Sequence, residues 1–386
     1  MLSYGRQTID EGDIEAVVAA LRAPLLTCGP LVARFEAALA SYVGAEHVSV
    51  CSSGTAALHL AYAALGIGEG DEIITTPLTF SATAAAAYYV GATVRVADVD
   101  PRTGNLSIQS VEALITSKTR AIVAVHLGGL PADMAELTRL ARRRRIRIIE
   151  DACHALGATY RGTKVGGGDA DAVVFSFHPV KHITTGEGGA VVVRDASIKH
   201  RIDQLRQHGI ERDPERMDTP PEGRWVYEVQ ELGWNYRLSD LSCALGLSQL
   251  AKLDQFLAAR RALAALYRTE LARVFGTAIG TQPELADRES AYHLFTVAIE
   301  FGRYGKPRDQ VMHELAQLGV GTQVHYVPLL QHPLHAQRNP TERARARPGT
   351  DHYYARTLSL PLYPQLSSAD VSHVVDALHR VLGESR

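Results

Sequence analysis

The sequence predicts an α/β protein: a mostly parallel seven-stranded sheet with helices on both faces, followed by a smaller C-terminal α+β unit. Three observations carry this. Between residues 47 and 193, short apolar runs alternate with segments of helical periodicity, the rhythm of βαβ units whose strands are covered on both sides. One long helical pattern then runs from about 238 to 271. Beyond residue 275 the rhythm changes to a few strands and two helices.

In chain order, residues 10–22 read as a helix capped at Asp10 or near Asp13, since Asp is favoured at a helix start. After the turn-rich link "PLLTCGP", a second helix, "LVARFEAALASYVG", stops at Gly44. Then come "HVSVCSSG" and helix 55–66, "EIITTP" and helix 81–90, "ATVRVADV" and helix 108–116, "RAIVAVHL" and helix 131–142, and "IRIIED". The last two strands of the series, "DAVVFSF" and "GAVVVR", have no full helix between them. A parallel crossover needs that length, so one of the two is predicted antiparallel. The polar, Pro-rich stretch 208–230 reads as an excursion. The C-terminal unit is read as strand "YHLFTVAIE", helix "RDQVMHELAQLG", strand "GTQVHYVP", an exposed polar loop 331–350, strand "TLSLPLY" and helix "SADVSHVVDALHRVLG". The expected division is residues 1–250 and 251–386, with segment 1–25 packing near the smaller part.

Composition excludes several function classes. The 386-residue chain is 46% hydrophobic and 21% charged, with a formal net charge of −2, so nothing draws it to nucleic acid or an anionic membrane. Its one charge run, "ARRRRIRIIE", follows a helical pattern and reads as a solvated helix end. Cys28, Cys51, Cys153 and Cys243 show no metal-ligand spacing and read as small buried hydrophobes. There is no secretory-type leader and no apolar run near the ~18 residues needed to span a bilayer. A cytoplasmic, reduced protein is expected.

In open α/β sheets, ligands bind beyond the carboxyl ends of strands. After the first strand, Ser52, Ser53, Gly54 and Thr55 open a helix, which is either a seat for a phosphate or a plain cap. Phe80 follows the second strand, as core or as a stacking platform. Asp151 ends the fifth, where a carboxylate needs a partner or acts as a cap. Ser176, His178 and Lys181 follow the sixth. Lys181 is one of only six lysines against thirty-four arginines, in surroundings too apolar for a surface lysine. Desolvation strips a lysine of its proton and makes it a nucleophile, which arginine cannot become. One ligand answers a phosphate seat, a carboxylate, an amine and an aromatic ring together: pyridoxal 5′-phosphate (PLP). No GxGxxG opens the first helix and no GxSxG joins a strand to a helix, which argues against a dinucleotide site or a serine hydrolase.

The motifs "SSGTAALHL", "TTPLTFSATA", "EDACHALGA", "FSFHPVKHITTGEGG", "LGWNYRLSDLSCALGLSQL" and "AYHLF" together resemble those of the DegT/DnrJ/EryC1/StrS sugar aminotransferases, which are fold-type I PLP enzymes. The resemblance spans "YGRQTID" to "LSLPLYP". Within the family, "HPVKHITTGEGG" and "LTCGP" look most like the branch that aminates C4 of a UDP-linked 4-keto-6-deoxy-N-acetyl sugar in pseudaminic acid biosynthesis, with L-glutamate as donor. The resemblance implies that Lys181 forms the Schiff base, Asp151 pairs with the pyridinium nitrogen, His154 lies near the ring and Phe80 stacks on it. It implies that Gly54, Thr55 and Ser176 hold the phosphate, and that Asn235 reaches the neighbouring subunit's cofactor in a homodimer. Tyr4, Leu26, Thr27, His178, Gln323, His325 and Tyr326 would line the nucleotide-sugar site. Cys153 stands where alanine is common, and Ser53 where asparagine is common. The alternatives are the same chemistry on another keto sugar (GDP- or dTDP-linked, 3- or 4-keto) and, more distantly, a PLP-binding regulator without turnover.

Overall fold

The computed structural model describes residues 1–383. Helix α1 (Glu11–Leu21) opens with a capping box between Asp10 and Asp13, and α2 (Pro30–Val43) ends at Gly44 in the left-handed conformation. The main sheet follows: β1 (His47–Cys51), α3 (Gly54–Ala64), β2 (Glu72–Thr75), α4 (Ala82–Tyr89), β3 (Thr93–Val96), α5 (Ile108–Leu114), β4 (Thr119–Val125), α6 (Met134–Arg144) and β5 (Arg147–Asp151). A small hairpin, β6 (Thr159–Tyr160) and β7 (Thr163–Lys164), leads to β8 (Ala172–Ser176) and β9 (Gly189–Val193). After α7 (Ala196–Leu205), the excursion carries only the short pair β10 (Ile210–Glu211) and β11 (Glu228–Val229).

The seven strands lie in the order β1-β9-β8-β5-β4-β2-β3. Strands β3, β2, β4, β5 and β8 are mutually parallel, and β9 runs antiparallel to both β8 and β1. The missing crossover helix therefore had the predicted consequence. Apolar residues of α2, α5, α6 and the later helix α8 (Asp240–Leu250) cover one face of the sheet and those of α3, α4 and α7 the other, so the inner strands β9, β8, β5 and β4 are nearly continuous in their apolar content. The predicted basic helix end is the last turn of α6, where Arg142 pairs with Asp169 at 3.0 Å.

The long helix expected over 238–271 is two helices, α8 (Asp240–Leu250) and α9 (Leu253–Phe275). The break falls at Ala251–Lys252. There the Lys252 ammonium turns to Asp10 and Asp13, 2.7 Å from each. Leu253, Phe256 and Leu257 of α9 pack in the sheet-side core, whereas Leu263, Ala264, Tyr267 and Leu271 pack in a third one. That third core is built on the antiparallel strands β12 (Ile279–Thr281), β14 (Phe295–Ile299) and β15 (Thr357–Leu360), with α10 (Arg308–Gln317) and the C-terminal helix over them. The strand expected at "GTQVHYVP" is an isolated bridge instead: Gln323 and Ser359 exchange both backbone hydrogen bonds, and the chain then departs. Strand β13 (Arg288–Glu289) pairs with β6. Of segment 1–25, the first residues meet the third core's elements, with Leu2 N–H donating to the Gly319 carbonyl at 2.8 Å. Helix α1 instead lies on α8, where Ser248 and Gln249 donate to Asp13.

The segment 331–350 is not an exposed loop. It folds into α11 (Pro333–Arg338), α12 (Pro340–Arg343) and the start of α13 (Pro348–Arg356), ahead of the last helix α14 (Ser368–Leu382). Its polar residues are consumed by the edge of the main sheet. Glu342, 2% exposed as a side chain, lies 2.7 Å from Arg95 of β3 and 2.8 Å from Arg347. Asp98 accepts from the backbone N–H groups of Gly349 and Thr350. A polar composition signals exposure only when its partners lie in the solvent, and these partners lie in the fold. Removing one member of a buried ion group strands the others, at a cost of about 3–5 kcal/mol. Glu342→Ala should therefore lower the thermal midpoint by several degrees, while Glu284→Ala, at an exposed site, should not.

Cys51 and Cys243 are buried and Cys153 is partly so, but Cys28 is exposed, contrary to the expectation of four buried thiols. No helix among the described residues is long and apolar enough to cross a membrane.

Candidate active site

The carboxyl ends of β5 and β8 and the start of α3 converge on one place. Asp151, at the end of β5, is 6% exposed. A carboxylate there must be compensated. The Thr83 hydroxyl of α4 donates to its Oδ2 at 2.7 Å, and the Cys153 backbone N–H approaches Oδ1 at 3.3 Å. Thr83 is itself linked to the Thr79 hydroxyl at 2.8 Å. The sequence reading missed both threonines, which stand four positions apart in "TTPLTFSAT", Thr79 ahead of α4 and Thr83 in its first turn.

Ser53 caps α3, accepting from the Ala56 N–H at 3.0 Å, so the helix starts at Gly54 and Thr55 with N–H groups that no earlier turn can satisfy. Gly54 is required there by close approach. A Cβ on it would sit 2.9 Å from the Ser176 Cβ and 3.3 Å from the Cys153 Sγ. The absence of that one carbon lets the helix N-terminus and the Ser176 hydroxyl share a single concave seat. Gly54→Ala should cost about 1–3 kcal/mol through overpacking and weaken cofactor retention, as read by equilibrium dialysis.

From Ser176 the chain enters the loop that carries Lys181. Phe177 and Ile183 anchor it in the core. The Thr184 hydroxyl and the Thr185 N–H both donate to the Phe177 carbonyl, at 3.0 and 3.1 Å, and the Lys181 N–H donates to the His178 carbonyl at 2.9 Å. The threonines thus close the loop on itself and fix where the lysine projects. The Lys181 side chain has no ion pair among the described residues, and desolvation lowers its ammonium pKa, against an opposing pull from Cys153 and Asp151. This is the environment in which a lysine supplies a neutral amine.

Four histidines surround this lysine electrostatically. His154 accepts at Nδ1 from the Gly128 N–H at 3.4 Å, so its Nε2–H donates to the Tyr326 hydroxyl at 3.0 Å. Its ring lies 4.3 Å from that of His293. Burial holds His154, His182 and His293 well below the usual histidine range, with the charge of Lys181 adding to the effect. His325, whose Nδ1 is 2.8 Å from the Ser359 hydroxyl, is pushed down to about 3. His182 and His293 carried no signal as site residues in the sequence.

A depressed histidine pKa has a definite sign for stability. The unfolded chain binds more protons than the folded one between the folded pKa and the ordinary 6.5, so folding stability is intact above that range and lost as pH falls through it. Each such histidine contributes a slope of up to about 1.4 kcal/mol per pH unit. The thermal midpoint should fall steeply from about pH 7.5 to about pH 5, and His325→Asn should make that slope shallower by one proton.

Other candidates stand closer or farther. The Tyr4 ring lies 5.2 Å from His325, and Phe80, 63% exposed, lies 6.3 Å from the Tyr326 ring. His178 and Gln323 are exposed beside the cluster in sequence. Leu26 and Thr27 are exposed where the Leu26 carbonyl accepts from the Asp240 N–H, and no hydrogen bond joins them to the Lys181 cluster among the described residues. Asn235 is exposed on the segment whose Tyr236 carbonyl accepts from the Ser52 N–H.

The residues present fit PLP. The Gly54 gap makes a seat for a phosphate, the Thr83 hydroxyl fixes the Asp151 side chain where it can accept a ring N–H, and the Lys181 amine is desolvated.

Comparison with known proteins agrees. Residues 7–379 match the model of the DegT/DnrJ/EryC1/StrS aminotransferase family. The chain is 39% identical over 388 residues to the UDP-4-amino-4,6-dideoxy-N-acetyl-beta-L-altrosamine transaminase of Campylobacter jejuni, covering 99% of this chain and 98% of that one. Among solved structures, PseC of Helicobacter pylori, an aminotransferase of pseudaminic acid biosynthesis, superposes with a TM-score of 0.91 at 30% identity over 99% of each chain. The PLP form of the putative sugar aminotransferase Spr1654 of Streptococcus pneumoniae gives a TM-score of 0.89 at 27% identity, over 99% of this chain and 98% of that one. The chain belongs to the DegT/DnrJ/EryC1/StrS family and is a PLP-dependent sugar aminotransferase.

Proposed function

We propose that this enzyme moves an amino group from L-glutamate to C4 of a UDP-linked 4-keto-6-deoxy-N-acetyl sugar, in pseudaminic acid or related amino-sugar biosynthesis. The observation that carries the choice of sugar is the whole-length likeness to the Campylobacter jejuni transaminase.

PLP, when bound, supplies an electrophilic aldehyde and an electron sink. The chain supplies the rest. Asp151, fixed by Thr83, would hold the ring nitrogen's N–H. Gly54, Thr55 and Ser176 would hold the phosphate at the start of α3, where the N–H groups and the helix dipole favour an anion. Lys181 would be the general base that takes the proton from the amino donor's Cα and the general acid that gives it back, the proton resting on Nζ between the two transfers. The same Nζ would serve in the reverse order for the keto sugar. His154, held by Tyr326 and kept neutral by burial, would present no competing cation to the ring. Phe80 would stack on the ring. Tyr4, His178, Gln323, His325 and Tyr326, with Leu26 and Thr27, form the sugar-nucleotide side.

The proposed working unit is a homodimer in which Asn235 reaches the phosphate in the partner subunit. Exposed apolar side chains near it, Trp225 at 76% and Leu232 at 91%, support this. A reducing, cytoplasmic setting is part of the proposal, in keeping with four free cysteines. The test is mass spectrometry of products from a panel of UDP-, GDP- and dTDP-linked keto sugars with ¹⁵N-labelled glutamate. The label should appear at C4 of the UDP-linked N-acetyl sugar. Turnover confined to a GDP- or dTDP-linked sugar would overturn the assignment.

A further inference from the structure

Beside Lys181 lies a cavity of about 10 Å³. Its lining includes Thr8, Lys181, His182, Thr184, Gln249 and Arg260. A volume of about that size admits one water molecule, provided two to four polar partners receive it. Three of these lining side chains carry a buried polar atom without a hydrogen-bond partner: Thr8 Oγ1, His182 Nδ1 and Arg260 Nε. Buried polar atoms are seldom left so, and three on one small cavity share one explanation.

The donors and acceptors match a single water. His182 Nε2 lies 3.0 Å from the Ala291 carbonyl. A carbonyl only accepts, so Nε2 carries the proton and Nδ1 is an acceptor. Arg260 Nε–H can only donate. The Thr8 hydroxyl serves either way. Arg260 is 1% exposed, has no carboxylate partner among the described residues, and spends its Nη1 on the carbonyls of Tyr292, His293 and Leu362. A water that accepts from Arg260 turns its own hydrogens away from the guanidinium, one of them to His182 Nδ1, which leaves the other for a second acceptor on a lining that includes Lys181.

We propose that this cavity holds one ordered water that ties the Lys181 amine to His182 and Arg260, making His182, Arg260 and Thr8 positioning residues for the lysine. The inference rests on the PLP reading of Lys181 and goes beyond it. A water hydrogen aimed at Nζ is accepted by a neutral amine and repelled by an ammonium. The cavity therefore favours the amine form and sets its direction. The other groups facing Lys181 are Asp151 and Cys153, which favour the ammonium, and the neutral His154, His293 and His325.

Two measurements decide it. In a high-resolution crystal structure of the holoenzyme, a water should lie within hydrogen-bond distance of His182 Nδ1 and Arg260 Nε. A dry cavity, or direct bonding among the three side chains, overturns the proposal. In full-length apoprotein, the pH profile of PLP capture, followed by absorbance, reports the fraction of free amine. Thr8→Val, which keeps shape and removes one water partner, and His182→Phe should both move that profile to higher pH, slowing capture at neutral pH about tenfold, the effect of one pKa unit. Thr8→Ser should restore it. Unchanged profiles with wild-type thermal midpoints overturn the proposal while leaving the PLP reading intact. Failure of the wild-type protein to bind PLP would instead overturn that reading.

Discussion

Lys181→Arg is expected to reduce transamination by roughly 10⁴-fold, the span assigned to a positioned acid–base group and nucleophile. The two side chains are both long cations, so the change isolates what arginine lacks: a proton that can be given up near neutral pH. The protein gives this loss a specific cause. Lys181 is desolvated and forms no ion pair with a carboxylate among the described residues, and its loop is held by Phe177, Thr184 and Thr185 independently of the amine. The variant should therefore fold with a near-native thermal midpoint and lose the visible absorbance of the protein-bound cofactor. Lys181→Ala should behave alike but regain part of its activity when small primary amines are added, because they restore the proton carrier and not the tether. Retained turnover in the arginine variant would be incompatible with the site described here.

The second large effect concerns Asp151. Asp151→Asn keeps shape and burial and removes the charge. It should lower kcat/KM by about 10²–10³-fold, the loss typical of deleting one preorganised electrostatic partner. Thr83→Val leaves the carboxylate in place and removes its 2.7 Å donor. Its effect should be nearer tenfold, since orientation is loosened while the charge remains, and the Thr79 hydroxyl loses its partner too. If Thr83→Val proved as damaging as Asp151→Asn, the hydroxyl would be acting on substrate or cofactor directly.

The large sheet was legible in the sequence because its inner strands bury both faces and the connecting helices cover them, so periodicity and apolar runs report the same structure twice. Lys181, Asp151, Ser176 and Gly54 were legible because they sit at strand ends and a helix start, the positions that sheet geometry sets aside for ligands. The segments that misled share a different trait. Residues 331–350 looked solvent-facing because Glu342, Arg347 and Asn339 are polar, and their partners Arg95, Tyr88 and Val96 lie some 250 positions away in sequence. The helix break at Ala251–Lys252 has no proline or glycine to announce it. It falls where Lys252 turns to Asp10 and Asp13, some 240 positions earlier in the chain. Thr83, His182, His293 and Arg260 were missed for the same reason: their roles depend on contacts between remote segments, which local pattern does not encode.

The account turns on which amine meets the cofactor. Borohydride reduction of the holoenzyme, followed by proteolysis and mass spectrometry, fixes that bond permanently and reads its address. The prediction is one pyridoxyl-phosphate mass per chain, on the peptide containing Lys181, and none on peptides containing Lys118, Lys164, Lys199, Lys252 or Lys306. Modification at any of those five, or none at all in active enzyme, would contradict it.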